Sequence, residues 1–441
     1  MNALVYGLGR SGMAAARLLR KQGHNVIAFD YNFKEAEAAA LSAFGISFTE
    51  QPLKETVDIC IAAPGVPYNH PDLQALRSNG VETIGEVEWV YRSVNAAIIG
   101  ITGTAGKGTV TSWLTHVLSS AGRDAVAGGN IDPALSEVAE DGKLLITELS
   151  SFQLERCPTL KPKIAMVLNL DRDHIDRHGN LEAYHEAKRN IINSQDADDT
   201  FIYCADTPKL RNWASAARAE TLAYGSDSSG NYLDARLQNG TLSVADEPWL
   251  GAKDLTLSGQ HHHLNALAVL LAARKLGLSR EEILPPLKNF AGLPGRFSEI
   301  GQLKGVRFVE DSIATRTLAV KAALSASQKP VVWILGGADK GAEVSELLDL
   351  AREKVTLALG LGEAGPAFLG QLKDVTATEH ISEPDGEKAL LIACRRGLEA
   401  LPAGGTVLLA PLAASFDQFK DYKARAAAFR RAAKRVIEEN T

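Results

Sequence analysis

The stretch AAIIGITGTAGKGT, Ala96–Thr109, decides how this chain folds. Its first half, Ala96–Ile101, is a short apolar run of the kind that forms a buried parallel strand. Its second half places Gly103, Gly106 and Lys107 just before a stretch expected to turn helical near Thr109. Such a turn lets successive backbone N–H groups and one ammonium surround a polyphosphate at a helix N-terminus. The strict P-loop spacing is broken twice: Ile101 occupies the first glycine position, and Gly108 follows Lys107 where a Ser or Thr hydroxyl normally reaches Mg²⁺. Glycine-rich turns are also built for structure alone, yet Gly100, Gly103, Gly106 and a lysine at these offsets favour phosphate.

Outward from this stretch, the order of strand, glycine-rich turn and Ala/Leu-rich helix recurs, which is the signature of parallel α/β layers. Upstream, Ala3–Tyr6 runs into GLGRSG, and the next strand, Asn25–Phe29, ends at Asp30. Gly7-x-Gly9-x-x-Gly12 lets backbone approach a diphosphate, while a carboxylate at the following strand end binds a polar part of a nucleotide. Alone, this block also fits a ligand-free turn or a nicotinamide-dependent dehydrogenase, but the latter leaves GTAGKGT unexplained. Downstream, GLPGRF (Gly292–Phe297) has linker composition, and Val306–Glu310, Val331–Leu335 and Thr406–Leu409 beyond it are strand-like. The expected class is α/β with three domains: 1–93 Rossmann-like, 94–294 a P-loop mononucleotide-binding, ATPase-like core, and 295–441 Rossmann-like again.

The 441 residues carry 47 Lys and Arg against 53 Asp and Glu, a net charge of −6 with no long run of either sign. That balance argues against a protein held mainly by nucleic-acid phosphates. A hydrophobic share of 45% with 23% charged residues is that of an ordinary globular chain. The four cysteines, Cys60, Cys157, Cys204 and Cys394, lack CxxC spacing, so neither a disulfide framework nor a thiolate zinc site is expected. No apolar run approaches the ~20 residues that span a bilayer, and MNALVYGLGRSG lacks the features of a signal peptide. The expectation is a cytoplasmic protein that engages neither nucleic acid nor membrane.

Candidate chemistry gathers at strand ends, where an open α/β sheet presents its ligands. Leu144–Thr147 leads to Glu148, and Ala165–Leu168 leads into NLDRDHIDRHG with Asp173, His174 and Asp176. Carboxylate and imidazole together suggest a divalent metal, although each alone also fits a surface ion pair or a capped helix. In the third block Asp311-Ser312, GGADKG with Lys340, and PLAASFDQF (Pro411–Phe419) follow strands. Ser415 is expected near a helix N-terminus, as a carboxylate-binding hydroxyl or simply an N-cap. A lysine and a helix start at adjacent strand ends point to an anionic substrate.

In this order, GITGTAGKGT, GGNIDP, TELSSFQLE, NLDRDHIDRHG, GLPGRF, LGGADKGA and APLAASFDQFKDY resemble the Mur ligases over nearly the whole chain. The ELSSFQLE and ASFDQF strings are most similar to family members that add glutamate. The resemblance implies ATP-dependent amide formation in peptidoglycan precursor synthesis. It also implies a monomer acting on ATP, glutamate and UDP-N-acetylmuramoyl-L-alanine, with Mg²⁺. By that resemblance, Arg10, Ser11, Asp30 and Tyr31 line the uridine diphosphate site, and Asn130, Ser150 and Gln153 contact the sugar-peptide side. Gly103, Thr104, Ala105, Gly106, Lys107, Gly108 and Thr109 wrap the ATP phosphates, with Asn265, Arg296 and Asp311 on the nucleotide. Lys107, Glu148, His174 and Lys188 form the catalytic set. Glu148 and His174 match Mg²⁺ ligands, Thr109 is a further oxygen donor, and Lys188 matches a lysine that is carbamylated in related enzymes. Thr315, Lys340, Ser415 and Tyr422 fall where the family binds glutamate.

Several residues depart from the family pattern. Gly108 replaces a Ser or Thr, Ala105 an Asn, His262 an Asn that commonly faces adenine, Gly295 a His, Ile313 a Lys, Arg316 an Asn and Tyr422 a Phe. Activity is expected to survive Gly108, because water or Thr109 can substitute in a hard-cation site. Ile313 and Arg316 lie beside the expected glutamate pocket. Addition of L-glutamate or another amino acid to the same substrate therefore stays open, as does a silent nucleotide-binding relative.

Overall fold

The computed structural model describes residues 1–32, 41–226, 232–293, 295, 297–338 and 344–441. Two expected site residues, Arg296 and Lys340, lie outside the described residues. Three sheets follow the three sequence blocks. The first runs β3 (Ser47–Phe48), β2 (Asn25–Phe29), β1 (Asn2–Tyr6), β4 (Ile59–Ala62), β5 (Glu82–Ile84), all parallel. Strand order reverses beside β1, and the crevice outside the carboxyl ends of such strands is where these sheets take ligands. The GLGRSG turn stands there: a Cβ on Gly12 would overlap the carbonyl oxygen of Gly7, so glycine lets the helix Arg10–Lys21 close on the strand.

The second sheet has nine strands, in the order β14 (Glu247–Gly251), β13 (Thr241–Val244), β12 (Ala235–Gln238), β11 (Glu220–Ser226), β10 (Thr200–Cys204), β9 (Ile164–Val167), β6 (Ala97–Thr102), β8 (Leu144–Glu148), β7 (Ala125–Gly129). It is parallel except for the antiparallel run β12–β13–β14. The helix after the glycine-rich turn starts at Lys107, slightly earlier than expected, and ends at Ser120. It is anchored by the buried Trp113, whose indole N–H donates to the Leu287 carbonyl at 3.1 Å and whose ring stacks on Phe290. A second helix, Gln260–Lys275, packs against it and is buried continuously from Asn265 to Ala273.

The third sheet runs β15 (Ser298–Leu303), β16 (Val306–Glu310), β20 (Gly405–Leu409), β17 (Val331–Gly336), β18 (Val355–Leu361), β19 (Ala377–His380), parallel apart from β15–β16. The chain forms two compact units, Met1–Phe290 with the first two sheets and Ala291–Thr441 with the third. In the first unit one apolar core joins both sheets, from Val26 and Ile61 through Trp89 to Ile99 and Ile146. The second unit has apolar clusters around Trp333 and around Phe429. All four cysteines are buried and unbridged. Among the described residues, no helix is long and apolar enough to cross a membrane.

Candidate active site

β6 lies between β8 and β9, with Ile101 paired to Glu148 and Thr102 paired to Val167. The segments TGTAGKGT, ELSS and NLDRDH therefore leave the sheet side by side. Gly106 has φ 82° and caps the helix Lys107–Ser120. The positive φ at Gly106 favours glycine, and a Cβ there would also crowd the Asn265 side-chain oxygen, 3.0 Å away. Lys107 Nζ donates to the carbonyls of Gly103 (2.9 Å) and Thr104 (3.0 Å). Lys188, buried on the helix Leu181–Asn193, donates to the same Gly103 carbonyl at 2.9 Å. Burial, aided by the neighbouring Lys107 cation, pushes the Lys188 amine well below an ordinary lysine.

Glu148 is buried at the end of β8. Its Oε1 accepts from Asn130 Nδ2 at 2.7 Å, while Oε2 has no protein partner. A buried carboxylate oxygen without a donor is costly unless a cation meets it, so Glu148 fits a metal ligand. His174 has φ 52° and begins the short helix Ile175–His178; its backbone N–H donates to Asp173 Oδ1 at 2.9 Å. Its ring meets Phe152 edge-on, with centroids 4.6 Å apart. Among the described residues no three His, Cys, Asp or Glu side chains converge into a ready cage. Glu148 and His174 could thus hold Mg²⁺ only with oxygens from phosphate, water, Thr109 or a modified Lys188.

Asn169 was not singled out in the sequence, yet it clamps the glycine-rich loop. Its Nδ2 donates to the Ala105 carbonyl (3.0 Å), its Oδ1 accepts the Ala105 N–H (2.8 Å), and its own carbonyl accepts from Thr104 N (3.2 Å). The signal was its place just beyond a buried strand, beside the loop. Asn169→Ala removes two hydrogen bonds of about 1 kcal/mol each. Nucleotide affinity is expected to fall on the order of tenfold; calorimetric titration with ADP checks this, and an unchanged affinity removes Asn169 from the site.

A cleft of about 610 Å³ opens at the GLGRSG turn, lined by Arg10, Ser11, Asp30, Tyr31, Asn130 and the loop Ala63–Pro67. Asp30 accepts from Leu8 N (2.6 Å) and Asn32 N (2.8 Å), so it shapes the turn as well as facing the cleft. The exposed Tyr31 donates its hydroxyl to Asp72 (2.7 Å), a carboxylate shared with Tyr6 (2.6 Å). Arg10 pairs with Asp132 and donates to the Asn130 carbonyl at 2.9 Å, so Asn130 links the cleft to Glu148. Ser150 and Gln153 bond each other as a capping box, holding the helix Ser151–Leu154 that follows Glu148.

In the second unit, Asp311 is buried just after β16, and Thr315 follows it before the helix Thr317–Ala326. Ser415 departs from expectation. It opens a turn in which Phe419 N donates to its carbonyl at 2.8 Å, and no helix starts there. The helix begins at Tyr422, where Asp421 is the cap, accepting from Ala424 N at 2.7 Å. The alanine-rich run needs a cap immediately before it, and Asp421 serves, leaving Ser415 too far upstream. Arg425, unmarked in the sequence reading, is buried and donates to the carbonyls of Ser312 (2.9 Å), Ala413 (3.1 Å) and Ala414 (3.2 Å). It ties the Ser312 and Ser415 loops together.

Residues 101–273 match the Mur ligase middle domain, and residues 1–85 match the Mur ligase MurD-like N-terminal domain. The UDP-N-acetylmuramoylalanine–D-glutamate ligase of Thermus thermophilus is 40% identical over 429 residues, 97% of this chain and 96% of that protein. The chain belongs to the Mur ligase family. The protein of the same name from Deinococcus radiodurans is also 40% identical, with 98% of this chain and 92% of that one covered. Among solved Mur ligases, MurF of Thermotoga maritima in complex with ADP shares the fold at a TM-score of 0.59 and 17% identity, over 95% of this chain and 96% of that one.

This Mur ligase carries His262 on the same helix as Asn265, buried, with neither ring nitrogen bonded to protein. Burial lowers the pKa of His262 to about 3 and that of His178 to about 4. In the unfolded chain both titrate near 6.5. The unfolded state therefore binds protons first as pH falls, and stability is complete above pH 6.5 and lost on acidification toward the folded values. The Mur ligase is expected to lose up to about 1.4 kcal/mol per histidine per pH unit over that window. Thermal midpoints from pH 7.5 to 4.5 check this, with a shallower decline in His262→Asn.

Proposed function

We propose that the chain joins D-glutamate to UDP-N-acetylmuramoyl-L-alanine with cleavage of ATP to ADP and phosphate, in peptidoglycan precursor synthesis. It acts as a cytoplasmic monomer on small molecules, engaging neither nucleic acid nor membrane. The observation that carries this reading is the likeness to UDP-N-acetylmuramoylalanine–D-glutamate ligase across 97% of the chain. The proposed division of labour gives residues 1–93 the UDP substrate, 94–294 ATP and Mg²⁺, and 295–441 glutamate.

A carboxylate resists an amine nucleophile, so it is first made into an acyl phosphate by the γ-phosphoryl group of ATP. The backbone N–H groups of Gly103 to Thr109 and the amide of Asn265 hold the nucleotide, with Arg296 and Asp311 as further contacts. Lys107 neutralises charge on the phosphoryl group as it moves to the alanyl carboxylate. Glu148 and His174, with Thr109, would hold Mg²⁺, which supplies further neutralisation when bound. Burial pushes the Lys188 amine toward its neutral form, the form that adds CO2: an N–C bond forms and one proton leaves the nitrogen for solvent. The carbamate presents oxygens where an ammonium would repel a cation. Arg10, Ser11, Asp30, Tyr31 and Asn130 orient the UDP moiety, while Ser150 and Gln153 fix the helix start beside it. Thr315, Lys340, Ser415 and Tyr422 hold glutamate, whose amine attacks the acyl carbon; phosphate leaves and the surplus amine proton passes to solvent.

Phosphate release with UDP-N-acetylmuramoyl-L-alanine, ATP and Mg²⁺ tests the reading. Release is expected with D-glutamate and not with L-glutamate. Turnover with L-glutamate alone, or with neither, overturns it.

A further inference from the structure

Two arginines that follow strands of the nine-stranded sheet reach the wall of the cleft at the five-stranded sheet. Arg177, three residues after His174, donates through Nη1 to the Gly65 carbonyl (3.2 Å) and through Nη2 to those of Pro64 (3.3 Å) and Val66 (2.6 Å). Arg156, fully buried, adds a bond to the Val66 carbonyl at 2.7 Å. Pro64 to Val66 line the cleft. One planar guanidinium thus binds three successive carbonyls of the loop.

Arg177 also lies over the ring of Phe152, on the short helix that follows Glu148. Its guanidinium carbon lies 5.0 Å from the Phe152 ring centroid. Phe152 meets His174 edge-on at 4.6 Å and stacks on His178 at 5.3 Å with an interplanar angle of 18°. His178 is held in turn by Glu155 (2.9 Å) and the Ser151 hydroxyl (3.0 Å). A continuous set of contacts thus runs from the cleft loop through Arg177 and Phe152 to His174. A second path, Arg10 to Asn130 to Glu148, starts from another part of the same cleft. Each path ends on one of the two side chains suited to a metal.

We propose that Arg177 is a positioning residue that couples the nucleotide-sugar cleft to the phosphoryl-transfer site. A substrate seated against Pro64 to Val66 sets Arg177, and Arg177 sets the short helix that carries His174. The inference rests on the functional reading above for the identity of both sites. Its chemical sense is that water can take the γ-phosphoryl group when no carboxylate is bound, so assembling the phosphoryl-transfer site only when the acceptor is present protects ATP from futile cleavage. The three-carbonyl fork explains why arginine stands here, since lysine offers a point charge instead.

The test measures the Mg-ADP dissociation constant with and without saturating UDP-N-acetylmuramoyl-L-alanine, together with kcat, both KM values and the melting temperature. It compares the wild type with Arg177→Gln and Arg177→Lys. In the wild type the UDP substrate is expected to tighten Mg-ADP at least about fivefold, the lower end of usual site-to-site coupling. In Arg177→Gln this factor falls to about one. kcat drops about 10- to 100-fold, the usual loss for a group supporting a metal ligand. Affinity for the UDP substrate alone stays within about threefold, and Arg177→Lys falls between. A wild-type factor of one, a variant that keeps the wild-type factor, or a loss of UDP-substrate affinity that accounts for the whole drop overturns the proposal. If Arg177→Gln does not fold, Arg177→Lys carries the same comparison. A wild type that releases no phosphate with D-glutamate overturns the functional reading instead; an active wild type without coupling overturns only this inference.

Discussion

Lys107→Ala is expected to abolish amide formation, with kcat reduced on the order of 10²–10³-fold or more, the cost of removing one preorganised charge-stabilising donor. The substitution spares the fold: alanine has the best helix propensity, and Lys107 is the first residue of the helix to Ser120. What disappears is an ammonium at the helix N-terminus, anchored at 2.9 and 3.0 Å on Gly103 and Thr104. Lys188 does not take over, because its buried amine is committed to the Gly103 carbonyl and burial disfavours its charged form. Removing Lys107 also removes one of the causes that lower Lys188, so the second lysine shifts back toward its protonated form, which repels a metal and cannot add CO2. Phosphate release checks the rate, and a circular dichroism melt checks the fold. Unchanged turnover would take the glycine-rich turn out of the mechanism.

Glu148→Gln carries the second largest effect and a diagnostic sign. The amide matches the carboxylate in size and keeps an oxygen for Asn130 Nδ2, but presents no charge to a cation. Activity is expected to fall about 100-fold, and the Mg²⁺ concentration for half-maximal rate to rise more than about tenfold, as when a metal's surroundings are altered. Stability should hold or rise, because Oε2 is a buried oxygen with no partner and a neutral group is cheaper to bury there. A Mg²⁺ titration paired with melting curves separates the cases. A lower melting temperature with an unmoved Mg²⁺ curve makes Glu148 a structural carboxylate.

The sheets were largely legible because hydrophobic runs bounded by glycine turns mark buried parallel strands. Asn25–Phe29 and Val306–Glu310 match their observed bounds, and Ala3–Tyr6 lacks only Asn2. The antiparallel run from Ala235 to Gly251 went unread. Its strands mix polar residues and Pro248 with apolar ones, yet Asn239-Gly240, both with positive φ, is a hairpin signal that local inspection could have caught. In the site, the loop glycines, Lys107 and Glu148 stand at strand ends, where position along the chain predicts position in space. Asn169, Arg177 and Arg425 act by gripping backbone carbonyls of distant segments, and only the folded path brings those within reach. Ser415 shows the converse error, a local capping rule applied where a better acceptor, Asp421, lies next to the helix.

The buried thiols give the molecule a built-in record of its own loosening. Cys60 lies in the five-stranded sheet, Cys204 in the nine-stranded sheet and Cys394 on a helix of the second unit. Burial raises Cys60 and Cys204 to about 12, so in the closed protein they are both shielded and poorly ionised. An alkylating reagent reaches each one only when its surroundings part. The order in which the modified peptides accumulate therefore ranks the regions by how often they breathe, without introducing any label site.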